Sequence, residues 1–210
     1  MRFFDFHTHN KTVENGIINL MPYEHSDVSK LYSMGIHPYF ISDDYINQID
    51  YIKEKAANKE IKAIGECGFD PKSVAELNLQ KEIFKLQVQI SEEYELPLII
   101  HCVKFYNELI KLKKELKPKQ MWVLHGFNSK IGLFKALIDE GFWFSFGASV
   151  LKNAEKIYVF YKNYGMRFFL ETDDSQMSIE EIYKQTAQYL NLDKEILVKS
   201  IEENLKKIGL

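Results

Sequence analysis

The chain has 210 residues, 46% of them hydrophobic and 27% charged, and its net charge at neutral pH is −3. That length suits one domain over residues 1–210 with a sizeable core, and the charge excludes a molecule that binds polyanions by its overall field. No apolar run approaches the ~18 residues of a membrane span and no secretory leader is visible, so the cytoplasm is the expected compartment. Two cysteines, Cys67 and Cys102, form no Cys-x-x-Cys pair and read as core residues, not a disulfide.

The first strand and its end are predicted over Arg2 to His9, an apolar run that stops in His7-Thr8-His9. Residues i and i+2 of a strand share a face, with Cα atoms about 6.5–7 Å apart, so the two imidazoles could chelate one ion. Strands are predicted next at Gly16–Met21 and Leu31–Ile36, separated by about ten residues, too few for a crossover helix and its loops. Regular alternation follows: helix at Tyr45–Asn58, strand at Ile61–Gly65, and a long helix at Ala75–Glu95 with an apolar stripe through Ile83, Phe84, Val88, Ile90 and Tyr94. Pro97 opens a strand through Ile100, and Pro118 stops a helix begun at Lys104.

Further strands are predicted at Met121–Leu124, Phe142–Phe146 and Met166–Glu171. Helices are predicted at Ser129–Glu140, capped by Asn128 or Ser129 and ended by Gly141, and at Leu151–Asn163. Ser178–Leu190 and Asp193–Lys207 close the chain, Ser178 and Glu181 forming a capping box. Lys111, Lys113, Lys114, Lys117 and Lys119 form a solvated face and exit of a helix. Eight apolar strands alternating with helices predict an α/β fold, a (β/α)8 TIM-like barrel whose first crossover helices are reduced or missing. The competing architecture is an open doubly wound sheet. The barrel is preferred because polar residues end many strands instead of meeting at one crevice.

Of six histidines, His7, His9, His37, His101 and His125 stand at or just past a predicted strand end, and Glu66 and Asp173 do the same. Any one could be a core residue satisfied by a hydrogen bond; together they point to a metal site. Imidazole and carboxylate suit zinc, manganese or iron. Four histidines with two carboxylates exceed one catalytic zinc site, so two ions bridged by Glu66 are expected.

The motifs Asp5-Phe6-His7-Thr8-His9, Gly35-Ile36-His37-Pro38, Gly65-Glu66-Cys67-Gly68-Phe69-Asp70, His101-Cys102, His125-Gly126-Phe127 and Glu171-Thr172-Asp173 run in order along the chain. Gln80, Phe84, Gln87 and Asn204-Leu205 extend the set, which resembles the TatD family of metal-dependent hydrolases among the amidohydrolase-like barrels. The resemblance implies two divalent ions (zinc, magnesium or manganese), one held by His7, His9, Glu66 and Asp173 and the other by Glu66, His101 and His125. It implies phosphoester hydrolysis by a metal-activated water, a small phosphoester or nucleic-acid end as substrate, and no obligate protein partner. It leaves His37 facing substrate or supporting a ligand. The chain departs from the family pattern at Lys11, Val103, Asn128-Ser129-Lys130 and Ser175, and is shortened between His9 and Gly35.

Asp173 and Glu66 are the expected catalytic pair, Asp173 accepting a proton as it orients the attacking water. His37, Ser149 in the Gly147-Ala148-Ser149 turn, and Lys104 are expected to meet substrate, with Lys130 as a further cation. Two alternatives use the same residues. One is hydrolysis of an amide, lactone or aminoacyl ester, including D-aminoacyl-tRNA deacylation; the other is a non-catalytic metal-binding barrel. Nucleophile-elbow, phosphate-loop and dinucleotide motifs are absent.

Overall fold

Eight short apolar runs become eight strands: β1 (Asp5–Thr8), β2 (Gly16–Leu20), β3 (Leu31–Met34), β4 (Ala63–Phe69), β5 (Leu98–Cys102), β6 (Trp122–Leu124), β7 (Trp143–Phe146) and β8 (Phe168–Leu170). These come from a computed structural model that describes residues 2–27 and 29–210. The helices are α1 (Tyr45–Ala57), α2 (Leu77–Tyr94), α3 (Tyr106–Leu116), α4 (Ile131–Asp139), α5 (Ala148–Leu151), α6 (Ala154–Tyr164), α7 (Ile179–Leu190) and α8 (Lys194–Lys206). The strands are ordered β1 to β8 as in the chain, and the pairs are parallel. No helix separates β1, β2 and β3 among the described residues, as the short spacing requires. Among those residues no helix is long and apolar enough to cross a membrane.

The chain divides into two compact units, residues 1–18 with 125–210, and residues 19–124. In the first, β7 and β8 pair in register from Phe144 opposite Phe168 to Phe146 opposite Leu170. Phe160 of α6 sets its ring against Phe134 and Phe146, each at 5.2 Å and tilted edge to face, the arrangement aromatic quadrupoles favour. Phe6 stacks on Phe169 at 4.1 Å. The chain after β8 pairs with β1: Thr8 bridges to Asp173, and the Asp173 N–H donates to the His7 carbonyl at 3.0 Å. Asn204, buried on α8, donates its amide to the carbonyls of Met166 and Phe168, tying α8 to β8 and the residue that leads into it.

In the second unit, α2 buries Ile83, Phe84, Val88 and Ile90 at helical spacing. It also buries two amides, Gln80 and Gln87. Gln87 accepts the Ile36 N–H at 2.7 Å and Gln80 accepts the Asp70 N–H at 3.0 Å, which satisfies backbone just past the ends of β3 and β4. Gly68 sits at φ 140°, and a Cβ there would lie 1.9 Å from the His101 carbonyl oxygen, so only glycine lets β4 approach β5 at that register.

Three details depart from expectation. β4 runs on to Phe69, so Glu66 lies inside the strand and not at its end; the register shifts between Ile64 and Cys67, which changes where the ladder places Glu66. The helix predicted over Leu151–Asn163 divides at Asn153, whose backbone, at φ −135° and ψ 81°, leaves the helical region and starts α6 afresh. Neither Asn128 nor Ser129 caps α4. It begins after Lys130 with no side-chain cap, while Asn128 donates to the Ser149 carbonyl and accepts from Lys156 Nζ. Of the predicted capping box the Ser178 half forms, its hydroxyl accepting the Glu181 N–H at 3.2 Å, while Glu181 Oε1 accepts from the Gln185 amide instead.

Candidate metal centre

In the first unit, alternation along β1 sends Asp5, His7 and, just past the strand, His9 to one side. Asp173 leaves β8 in the left-handed region at φ 53°, which Asp tolerates better than most residues. Its backbone is tied to both histidines: its N–H donates to the His7 carbonyl at 3.0 Å, and its carbonyl accepts the His9 N–H at 3.4 Å. The side chains then converge, with Asp173 Oδ1 standing 3.6 Å from Nε2 of His7 and 3.6 Å from Nε2 of His9. That is long for a hydrogen bond, whereas two ligands about 2.1 Å from a tetrahedral ion are about 3.4 Å apart. The buried His125 ring packs 4.5 Å from that of His7, and His7, His125 and Asp173 each place a ligand atom within 4.8 Å of the others. His9, Asp173 and Asp174 do likewise. The donor set fits a divalent ion.

Two buried carboxyls stand behind this cluster. Asp5 accepts the Thr172 N–H at 2.9 Å and hydroxyl at 2.6 Å, yet burial pushes its carboxyl up to about 6. Glu171 accepts the Gly126 N–H and lies 3.9 Å from His125 Nδ1; burial pushes it up to about 7.

In the second unit, β4 and β5 present Glu66 and His101, and the turn after β3 presents His37. Glu66 Oε1 is 3.3 Å from His37 Nε2 and 3.1 Å from His101 Nδ1, and all three residues place a ligand atom within 4.8 Å of the others. Buried Asn19 accepts the Glu66 N–H at 2.8 Å and the Ser33 hydroxyl at 3.1 Å, fixing the Glu66 backbone from β2. Asp70 Oδ2 lies 2.8 Å from His101 Nε2, the carboxylate–imidazole pairing that commonly orients a metal-ligating histidine. Burial works against the Asp70 charge, but hydrogen bonds from His101, the Lys72 N–H and the Tyr39 hydroxyl outweigh it and hold the carboxyl below its ordinary value.

His7, His9, His125 and Asp173 are thus gathered in one unit, and His37, Glu66 and His101 in the other. Ser149 is exposed and lines a cleft of about 330 Å³ with Asp173 and Gly147. Lys104 and Lys130 are exposed, following β5 and preceding α4 respectively. Asn19, Asp70, Glu171 and Asp174 escaped the sequence reading as functional residues. Asp70 and Glu171 lie within quoted motifs, and their position at strand ends was the available signal; Asn19 sits in an apolar run and gave none.

The sequence profile of the family described as TatD related DNase matches residues 17–208. The chain belongs to that family. An uncharacterized metal-dependent hydrolase of Buchnera aphidicola subsp. Baizongia pistaciae is 31% identical over 174 residues, 80% of this chain and 65% of that protein. A protein of Salmonella typhimurium named 3'-5' ssDNA/RNA exonuclease TatD is 30% identical over 111 residues, 52% of this chain and 43% of its own. The chain therefore spans less than two thirds of these curated relatives. The crystal structure of a TatD homologue from Escherichia coli matches with a TM-score of 0.79 at 15% identity, over 98% of this chain and 97% of that one. That likeness shows the fold, and this TatD-family chain has the (β/α)8 class expected of it, with no helix among the described residues of its first two crossovers.

Proposed function

We propose that this chain is a divalent-metal-dependent hydrolase of phosphodiester bonds, acting at nucleic-acid ends. The observation that carries the reading is Asp173 Oδ1, set 3.6 Å from the Nε2 atoms of two histidines that its own backbone also binds. The names of the relatives, metal-dependent hydrolase and ssDNA/RNA exonuclease, supply the reaction class. Residues 1–210 act as one hydrolase domain in the cytoplasm, and two ions are held, zinc, magnesium or manganese. The ligands are His7, His9, His125 and Asp173, together with Glu66 and His101; the sharing of Glu66 between ions follows from the family resemblance.

When bound, such an ion supplies Lewis-acid polarisation of the phosphoryl group and activation of water. His7 is buried and the His125 side chain is only 6% exposed, so both hold position and stay away from substrate. Asp173 is 35% exposed and lines clefts of about 660 and 330 Å³, so its carboxylate both orients the attacking water and accepts its proton. Ser149, beside Asp173 in the smaller cleft, and Lys104 contact the substrate phosphate.

The test is chelator-stripped protein assayed on labelled single-stranded DNA, before and after readdition of zinc, magnesium or manganese. Metal-dependent shortening is expected, lost in Asp173→Asn and Glu66→Gln. Cleavage of a carboxylic-ester panel with untouched DNA would overturn the phosphodiester reading, and full activity in both variants would overturn the site.

A further inference from the structure

The second unit holds a closed circuit of side chains around Glu66 and His101, and the metal reading gives no role to Tyr39 within it. Tyr39 lies in a 3-10 turn, Pro38–Phe40, just past His37. Its backbone N–H donates to His37 Nδ1 at 3.1 Å, and its hydroxyl donates to Asp70 Oδ2 at 3.0 Å. We propose that Tyr39 is a positioning residue for the Glu66–His101 ligand pair, setting His37 through its backbone and Asp70 through its hydroxyl. The proposal rests on the metal reading above.

The first arm decides what His37 does. A neutral imidazole that accepts at Nδ1 carries its proton on Nε2. Nε2 faces Glu66 Oε1 at 3.3 Å, so His37 is a donor to Glu66. A nitrogen that carries a proton has no lone pair for an ion, which removes His37 from the ligand set although it stands within ligand distance of the other two.

The second arm decides what His101 does. Asp70 Oδ2 accepts from His101 Nε2 at 2.8 Å and from Tyr39 at once, while Asp70 Oδ1 accepts the Lys72 N–H at 2.7 Å. With its proton kept at Nε2, His101 turns the Nδ1 lone pair toward Glu66 Oε1, 3.1 Å away. These two acceptor atoms would then both serve a cation held between them. Tyr39 therefore assigns the pair of histidines opposite tautomers, one supporting Glu66 and one joining it.

The turn is anchored for this role. Ser73 donates to the Pro38 carbonyl at 2.6 Å, and the Phe40 N–H donates to the His37 carbonyl at 2.9 Å. The Tyr39 ring is 42% exposed, so removing its hydroxyl changes little packing.

The experiment is titration of metal-free protein with Co2+, followed by the d–d absorption of the ion. In Tyr39→Phe one equivalent should bind about tenfold more weakly, the loss typical of a group supporting a ligating histidine, with the other unchanged and the metal-free melting temperature retained. Asp70→Asn should weaken the same equivalent, and the double variant should be no weaker than Asp70→Asn, because the hydroxyl acts through that carboxylate. Unchanged binding in Tyr39→Phe, additive losses, or a Tyr39→Phe chain that no longer folds would each overturn the proposal alone. Uptake of no Co2+ by the parent protein would overturn it together with the metal reading.

Discussion

Asp173 donates its backbone N–H to the His7 carbonyl at 3.0 Å while its Oδ1 stands 3.6 Å from the Nε2 of that same histidine. The strand pairing that aligns the two residues also sets the spacing of their side chains. Asp173→Asn keeps the volume and the backbone tie but loses the charge. It should fold with an unchanged circular-dichroism spectrum, bind less metal by elemental analysis, and lose at least about a hundredfold in DNA cleavage. Parent-like metal content would remove Asp173 from the site.

Asn19 supports the site from behind. Its Oδ1 accepts the Glu66 N–H and the Ser33 hydroxyl, both buried. Asn19→Ala leaves these donors without an acceptor, and each is expected to cost about 1–3 kcal/mol. Urea unfolding should show the loss as a lower midpoint at unchanged slope.

Gly68→Ala should be far more damaging than its size suggests. The backbone at φ 140° disfavours a side chain, and the new Cβ would meet the His101 carbonyl at 1.9 Å. A cost of about 4 kcal/mol or more is expected. Recovery of soluble protein with parent-like thermal stability would contradict the tight approach of β4 to β5.

Alkaline stability follows from buried tyrosines. Burial pushes the Tyr106 hydroxyl up to about 12 and raises Tyr183 as well. For an acid whose proton is held more tightly in the fold, stability is full below the ordinary value near 10 and falls as pH climbs through it. Phenolate absorbance at 295 nm should show Tyr106 ionising late, and Tyr183 only as the fold is lost. Titration of all twelve tyrosines near 10 in folded protein would contradict this burial.

Much of this was legible before any coordinates. The eight strands declared themselves as apolar runs, and the lack of a helix among the described residues of the early crossovers followed from spacing. His7 and His9 were readable because strand periodicity is local. Glu66 was recognised but misplaced within its strand, since a register shift between Ile64 and Cys67 leaves no mark in composition. Asn128 looked like a helix cap, and a distant partner, the Ser149 carbonyl, claimed its amide instead. Asn19 and Tyr39 were invisible for the same reason: their meaning lies in atoms brought near by folding, 47 and 31 positions away.

Gln87 offers a last consequence. By accepting the Ile36 N–H and donating toward the Ile36 carbonyl, its amide imitates one residue of a neighbouring strand. The segment that delivers His37 is therefore spliced to a helix far along the chain. Anyone transplanting the 36–44 loop into another scaffold would have to carry Gln87 with it, because the graft's anchor point belongs to α2.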